Sequence, residues 1–341
     1  MRVAVYHSNN DVRLDERPRP KTGPGELLLR VEASGICGSD VMEWYRMPHA
    51  PLVLGHEIAG QVVEVGAGVT EFKVGDRVMA THHVPCNTCR YCLRGQHNVC
   101  GTLRTTHFDP GGFSEYVRLP AINVERGTFL LPETMTYEEG SFLEPLACCI
   151  RAQRLARMEP GASVAILGSG ISGILHVQLA RALGAGKIFA TDVSPQRLEY
   201  ARKFGADTTF EAGPDVSERI RESNEGRGAE LVLVCTSAMP AIAQAFRSVD
   251  RGGTILFFAP APPGITFPAP LHDLWKDGIS ILHSYAGPPH DIVMARDLIA
   301  ARRVDVASMV TDRLPLEETG KGFKIVVEAG RSLKVLVEPQ H

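Results

Sequence analysis

Residues 163–173 read Ser-Val-Ala-Ile-Leu-Gly-Ser-Gly-Ile-Ser-Gly, an apolar run that ends in three glycines with G-x-G-x-x-G spacing. No other stretch restricts the fold as tightly. A short apolar run bounded by glycine reads as a buried strand, and Gly168 lets the chain turn sharply toward a helix that opens at Ile171 and Ser172. Gly170 lets the backbone approach a pyrophosphate, and Gly173 lets the helix pack close to the strand. Phosphate would then rest on the free amides of the helix start, where the dipole favours negative charge. The flanking rhythm agrees. Strands are expected at 163–167, 187–191, 231–235, 254–258 and 279–283, with helices at 171–183, 195–204 and 240–249 between them. That alternation is the pattern of a doubly wound α/β parallel sheet, a Rossmann unit. Asp192 follows the second strand, where a carboxylate accepts hydrogen bonds from the adenosine ribose and repels a 2′-phosphate. NAD is therefore expected in preference to NADP, with Arg197 of the next helix in the same site.

At 341 residues the chain exceeds one ordinary domain. Residues 1–120 differ in character from the alternating unit. Strands at 26–33 and 57–65 are separated by glycine turns, and residues after 286 return to mixed structure with a helix at 292–302 and a strand at 332–338. The expected organisation is a β-rich domain from 1–147 and 286–341, with the nucleotide unit at 148–285. A net charge of −3 gives no electrostatic reason for nucleic acid or an anionic membrane as partner. No apolar run approaches the roughly 20 residues of a membrane span. The amino terminus lacks the basic stretch and apolar core of a secretory signal, so a cytoplasmic location is expected.

Four of the eight cysteines, Cys86, Cys89, Cys92 and Cys100, follow C-x2-C-x2-C-x7-C. Four thiolates on a short loop satisfy the tetrahedral preference of zinc and leave no open position, which marks a structural site. An iron–sulfur run would have a shorter last gap and a proline after the final cysteine, where this chain has Gly101. Three further fragments, around Cys37, around His56-Glu57 and around Glu144-Pro145, supply a thiolate, an imidazole and carboxylates. Together they suit a second, catalytic zinc with a position left for substrate. Two zinc ions per chain are expected.

The motifs GICGSD at 35–40, PLVLGHE at 51–57, VGDRV at 74–78, GGFSEY at 111–116, EPL at 144–146, GSGISG at 168–173 and SLKV at 332–335 run nearly end to end. In these the chain resembles the zinc-containing medium-chain dehydrogenase/reductase (alcohol dehydrogenase) family, and more narrowly its sorbitol and threonine dehydrogenase branch. The resemblance implies a GroES-like β-rich catalytic domain plus the Rossmann domain, and a dimer or tetramer. It implies that Cys37 and His56 bind catalytic zinc, that Glu57 and Glu144 compete for the third place, and that Asp40 orients His56. Ser39 would take the hydroxyl proton onward while hydride passes to the nicotinamide. Lys334 is marked by the resemblance alone.

In this branch a histidine often stands where the chain has Met42, so the proton exit differs, with His49 or ordered water as candidates. Trp44, Tyr45 and Arg46, with His283, Ser284 and Tyr285, are expected to line a pocket for a polar secondary alcohol or its ketone, of polyol or cyclitol type. A threonine-type amino-alcohol or vicinal diol dehydrogenase has the same chemistry. A nucleotide-binding structural or regulatory subunit is the reading of another class, against which the retention of Cys37, His56 and Glu144 together argues.

Overall fold

The computed structural model describes residues 1–341 and divides them into two units. One comprises Met1–Ala147, Ala286–Arg302 and Val306–His341; the other comprises Cys148–Tyr285 and Arg303–Asp305.

The second unit is a six-stranded parallel sheet: β1 (Ser163–Leu167), β2 (Lys187–Asp192), β3 (Thr208–Glu211), β4 (Ala229–Val234), β5 (Val249–Phe257) and β6 (Ser280–His283). The spatial order is 3-2-1-4-5-6 with every pair parallel, the doubly wound dinucleotide topology. All five residues of β1 are buried, as a central strand covered on both faces requires. Helices α1 (Ile171–Ala182), α2 (Pro195–Lys203), α3 (Val216–Ser223), α4 (Met239–Ser248) and α5 (Leu271–Lys276) alternate with the strands. Ala165, Leu167, Phe189, Val232, Val234 and Ile255 form the centre of one core cluster.

Three elements of this unit escape the sequence reading: β3, α3 and α5. β3 is a four-residue edge strand with one buried residue, Phe210. Helix α3 buries Val216, Ser217 and Ile220 in an otherwise charged segment, and α5 buries nothing. Weak apolar periodicity leaves little to read.

The first unit holds a seven-stranded sheet in which Val310–Pro315, Lys334–Glu338, Leu27–Gly35, Glu57–Val65, Arg77–Ala80 and Thr128–Leu130 are successive neighbours and Tyr116–Leu119 also pairs with Leu27–Gly35. Asp11–Glu16, Arg2–Ser8 and Leu52–Val53 make a smaller sheet. Helix Thr319–Glu328 connects the parallel strands Val310–Pro315 and Lys334–Glu338. No helix of the chain is long and apolar enough to cross a membrane.

Candidate metal centres and nucleotide site

Register builds the first site. Strands Leu27–Gly35 and Glu57–Val65 pair antiparallel with Gly35 opposite Glu57. Two residues past the end of one strand stands Cys37, and one residue before the start of the other stands His56, so the pairing brings thiol and imidazole together. The turn into His56 depends on Gly55, whose φ is +94° and where a Cβ would meet the amide of Phe113 at 2.7 Å. Gly112 N donates to Gly55 O at 2.9 Å and Phe113 N to Leu54 O at 2.9 Å. The GHE and GGF motifs are thus two sides of one backbone contact.

One donor atom each from Cys37, His56 and Glu57 lies within 4.8 Å of the others, a spacing and donor chemistry that fit zinc. Buried Asp40 faces Nδ1 of His56 at 3.4 Å and accepts from the Cys37 amide at 3.0 Å. That contact leaves Nε2 of the ring for a metal. Burial alone would lower the His56 pKa, but Asp40 and Cys37 reverse this and hold it well above the ordinary value. For Asp40 burial opposes ionisation, and His56, Arg46 and the Cys37 amide outweigh it, so its carboxyl stays below the usual range. A cluster that draws a proton so strongly is one that attracts a cation.

Arg46 has a different place from the pocket lining expected of it. Its Nε donates to Ser39 O at 2.9 Å and its Nη2 to Ser39 Oγ at 3.1 Å, with Asp40 Oδ1 at 3.4 Å. Ser39 Oγ lies 3.4 Å from Cys37 Sγ. Trp44 and Tyr45 are exposed, Met42 precedes the short helix Glu43–Arg46, and His49 ends an exposed turn. In the second unit His283 stacks on Phe257 at 5.4 Å, on edge strand β6.

Lys334, read from sequence only by resemblance, is 2% exposed, and its Nζ pairs with Oε2 of Glu57, itself 1% exposed. Nζ also donates to Ile36 O at 3.1 Å. Strand Lys334–Glu338 reaches this point because Leu336 pairs with Gly35. Gly35 is required there, since a Cβ would collide with both Glu57 and Lys334.

Glu144 lies in the first turn of helix Leu143–Leu155 and is buried. The structure groups it with His82 and His83, donor atoms again within 4.8 Å, rather than with the Cys37 set. The two groups adjoin, for the His82 ring lies 4.8 Å from that of His56. Burial, reinforced by neighbouring positive groups, pushes His82 well below its ordinary pKa and His83 down to about 3. Both histidines were missed in the sequence, where a pair between a strand and the cysteine loop carries no known spacing.

The four cysteines converge as their spacing predicts. Sulfur separations are 3.6 Å for Cys89–Cys92, 3.6 Å for Cys86–Cys100 and 4.0 Å for Cys86–Cys92. A tetrahedron of sulfurs around zinc has edges of about 3.8 Å. Backbone amides of Cys86 and Cys89 point at Cys100 Sγ and Cys86 Sγ, at 3.4 and 3.2 Å, as suits thiolates.

In the nucleotide unit Gly168 has φ +98°, and a Cβ on Gly173 would collide with Gly168 O. Gly170 caps α1, whose first residues are Ile171 and Ser172. Buried Asp192 accepts from Ser169 N at 2.7 Å on one oxygen and from Ser194 N at 2.9 Å on the other. The carboxylate is therefore fixed beside the glycine loop with acceptor capacity to spare. Arg197 reaches the same loop: its Nη1 lies 3.9 Å from where a Gly170 Cβ would stand, and its Nε is buried with no protein partner. This loop suits a dinucleotide.

A family model described as an alcohol dehydrogenase GroES-like domain matches residues 23–128, and one described as a zinc-binding dehydrogenase matches residues 172–301. The chain is 33% identical over 347 residues to a sorbitol dehydrogenase of Gallus gallus, covering 98% of this chain and 96% of that one. It is likewise 33% identical over 347 residues to a probable D-xylulose reductase A of Aspergillus clavatus, covering 98% and 95%. A Sinorhizobium meliloti 1021 protein described as a zinc-binding dehydrogenase and solved with NADP superposes with a TM-score of 0.89 at 31% identity, covering 99% of each chain.

Proposed function

The chain belongs to the zinc-dependent alcohol dehydrogenase family, and on that premise we propose that it transfers hydride between a polyhydroxylated secondary alcohol and NAD, giving a ketone. The convergence of Cys37, His56 and Glu57 carries the reading. When bound, zinc supplies Lewis acidity that eases ionisation of a substrate hydroxyl near neutral pH, and nicotinamide takes the hydride.

Cys37, His56 and Glu57 are the metal-holding residues in this reading, and Asp40 keeps the His56 ring turned toward the metal. Ser39 Oγ is the first relay position, where the substrate proton would be taken up as the serine's own hydroxyl hydrogen passes on to water. Arg46, donating to that oxygen, fixes its position and leaves its second lone pair for the incoming proton. Cys86, Cys89, Cys92 and Cys100 hold a second zinc whose role is structural. Asp192, held beside the glycine loop, favours the free ribose hydroxyls of NAD over a 2′-phosphate.

The polar groups beside the metal-holding set, His82, His83 and Glu144, suit a substrate with several hydroxyls better than an aliphatic one. The relatives named as a sorbitol dehydrogenase and a D-xylulose reductase point the same way. A homo-oligomer is also part of the reading: edge strand β6 is largely exposed, and nearby Trp275 and Leu271 are 80% and 75% exposed. None of the eight cysteines is joined in a disulfide, which suits a reducing compartment such as the cytoplasm.

Initial rates with sorbitol, xylitol, a cyclitol, threonine and 2-propanol, each with NAD and with NADP, test the proposal. Polyol or cyclitol turnover with NAD well above that with NADP is expected. Preferential oxidation of threonine or 2-propanol, or no turnover by zinc-replete enzyme, would contradict it.

A further inference from the structure

Outside the metal-holding set, one cluster has a geometry that the reaction as described does not use: His82 and His83 with Glu144. The two rings are adjacent, with centroids 3.6 Å apart, and His82 also lies against Phe108 at 6.1 Å. Their backbone is held from several sides. Asn123 Nδ2 donates to Thr81 O at 2.9 Å and to His82 O at 3.2 Å. Thr81 N donates to Gly127 O at 2.8 Å, His83 N to Thr81 Oγ1 at 3.3 Å, and Val84 N to Thr106 Oγ1 at 3.2 Å. Such clamping fixes side chains that must present polar atoms in one arrangement. His82 Nδ1 is buried and has no partner in the protein. A buried polar atom left this way is costly unless something else satisfies it.

We propose that His82 and His83, with Glu144, are the substrate-recognition group that reads the hydroxyl next to the one being oxidised, so that the preferred substrate is a vicinal diol unit within a polyol or cyclitol. The inference rests on the polyol reading above and assigns it to residues. A neutral imidazole offers one donor and one acceptor, the complement of a hydroxyl, whereas a carboxylate offers acceptors only. The 4.8 Å between the His82 and His56 rings puts the group one hydroxyl away from the metal set. A site built to hydrogen-bond a hydroxyl rejects an analogue that lacks it far more strongly than an apolar pocket rejects an added one.

A matched pair, 2,3-butanediol and 2-butanol, reads this directly as the ratio of their kcat/KM values. Wild-type enzyme is expected to favour the diol strongly. His82→Phe and His83→Phe keep ring volume and remove the polar atoms, and each should lower the ratio by about tenfold to a hundredfold. His82→Asn and His83→Asn, which restore an amide donor and acceptor, should recover part of it, and they keep the test open where a Phe variant does not fold. Zinc content and thermal melting are followed on every variant. A wild-type ratio near one would overturn the inference together with the polyol reading. A high wild-type ratio that folded, zinc-replete variants retain would overturn the inference alone.

Discussion

Lys334 and Glu57 form the most consequential single contact in the first unit. Both are almost wholly buried, and each is the other's opposite charge. Removing one member of a buried pair strands the other and costs about 3–5 kcal/mol, although the intact pair adds little net stability. In zinc-stripped protein Lys334→Met is therefore expected to lower stability by about 3 kcal/mol in urea unfolding, and adding Glu57→Gln should recover much of the loss. Additive losses in the double variant would mean that the pair is not a unit. The contact spans 277 residues of sequence, so no local pattern could join its partners. Gly35 was legible as a glycine but not as the gap into which both side chains fit. Arg46 shows the same limit. Its position after GSD suggested a pocket wall, whereas its guanidinium grips Ser39 and Asp40.

Among the elements, α1 carries a fully buried histidine of the second unit. His176 is held by Gln153, whose Nε2 donates to the His176 carbonyl at 3.0 Å and meets its Nδ1 at 3.1 Å, and Phe258 packs edge-on at 4.7 Å. Burial pushes its pKa down to about 3. An unfolded histidine titrates near 6.5, so as pH falls the unfolded chain binds the proton first. The stabilising contribution is full above about pH 6.5 and drains away as pH falls toward 3, with about 2 kcal/mol lost by pH 5. Melts of the second unit at pH 7 and pH 5 should show this fall, and His176→Gln should flatten it. An equal fall in the variant would place the titration elsewhere. Element by element, β1 and Glu57–Val65 read from sequence with their full bounds because each is a clear apolar or alternating run. The edge strand β3 and the polar helix α3 did not, since packing rather than composition decides them.

At the scale of the whole molecule, the glycine loop and the alternation around it were sufficient for the nucleotide unit, whereas the GroES-like unit was expected from the resemblance and the cysteine spacing marked only a zinc loop within it. The site was legible in part. Cys37, His56, Glu57 and Asp40 stand in short motifs, and strand register brings them together. His82, His83 and the grouping of Glu144 with them arise from elements whose approach no motif records. The proposed reaction requires two metal sets of different purpose in one chain, one that fastens a loop and one that holds the reacting group.

Zinc quantified alongside turnover in Cys37→Ser tests that requirement most directly. Wild-type protein should carry about two zinc per chain, one for each donor set. The variant should keep the zinc of the four-cysteine loop, lose the other, oxidise no alcohol and still bind NADH with nearly unchanged affinity. Retention of both zinc ions and of turnover in Cys37→Ser would contradict the assignment of the Cys37–His56–Glu57 set as the centre of the reaction.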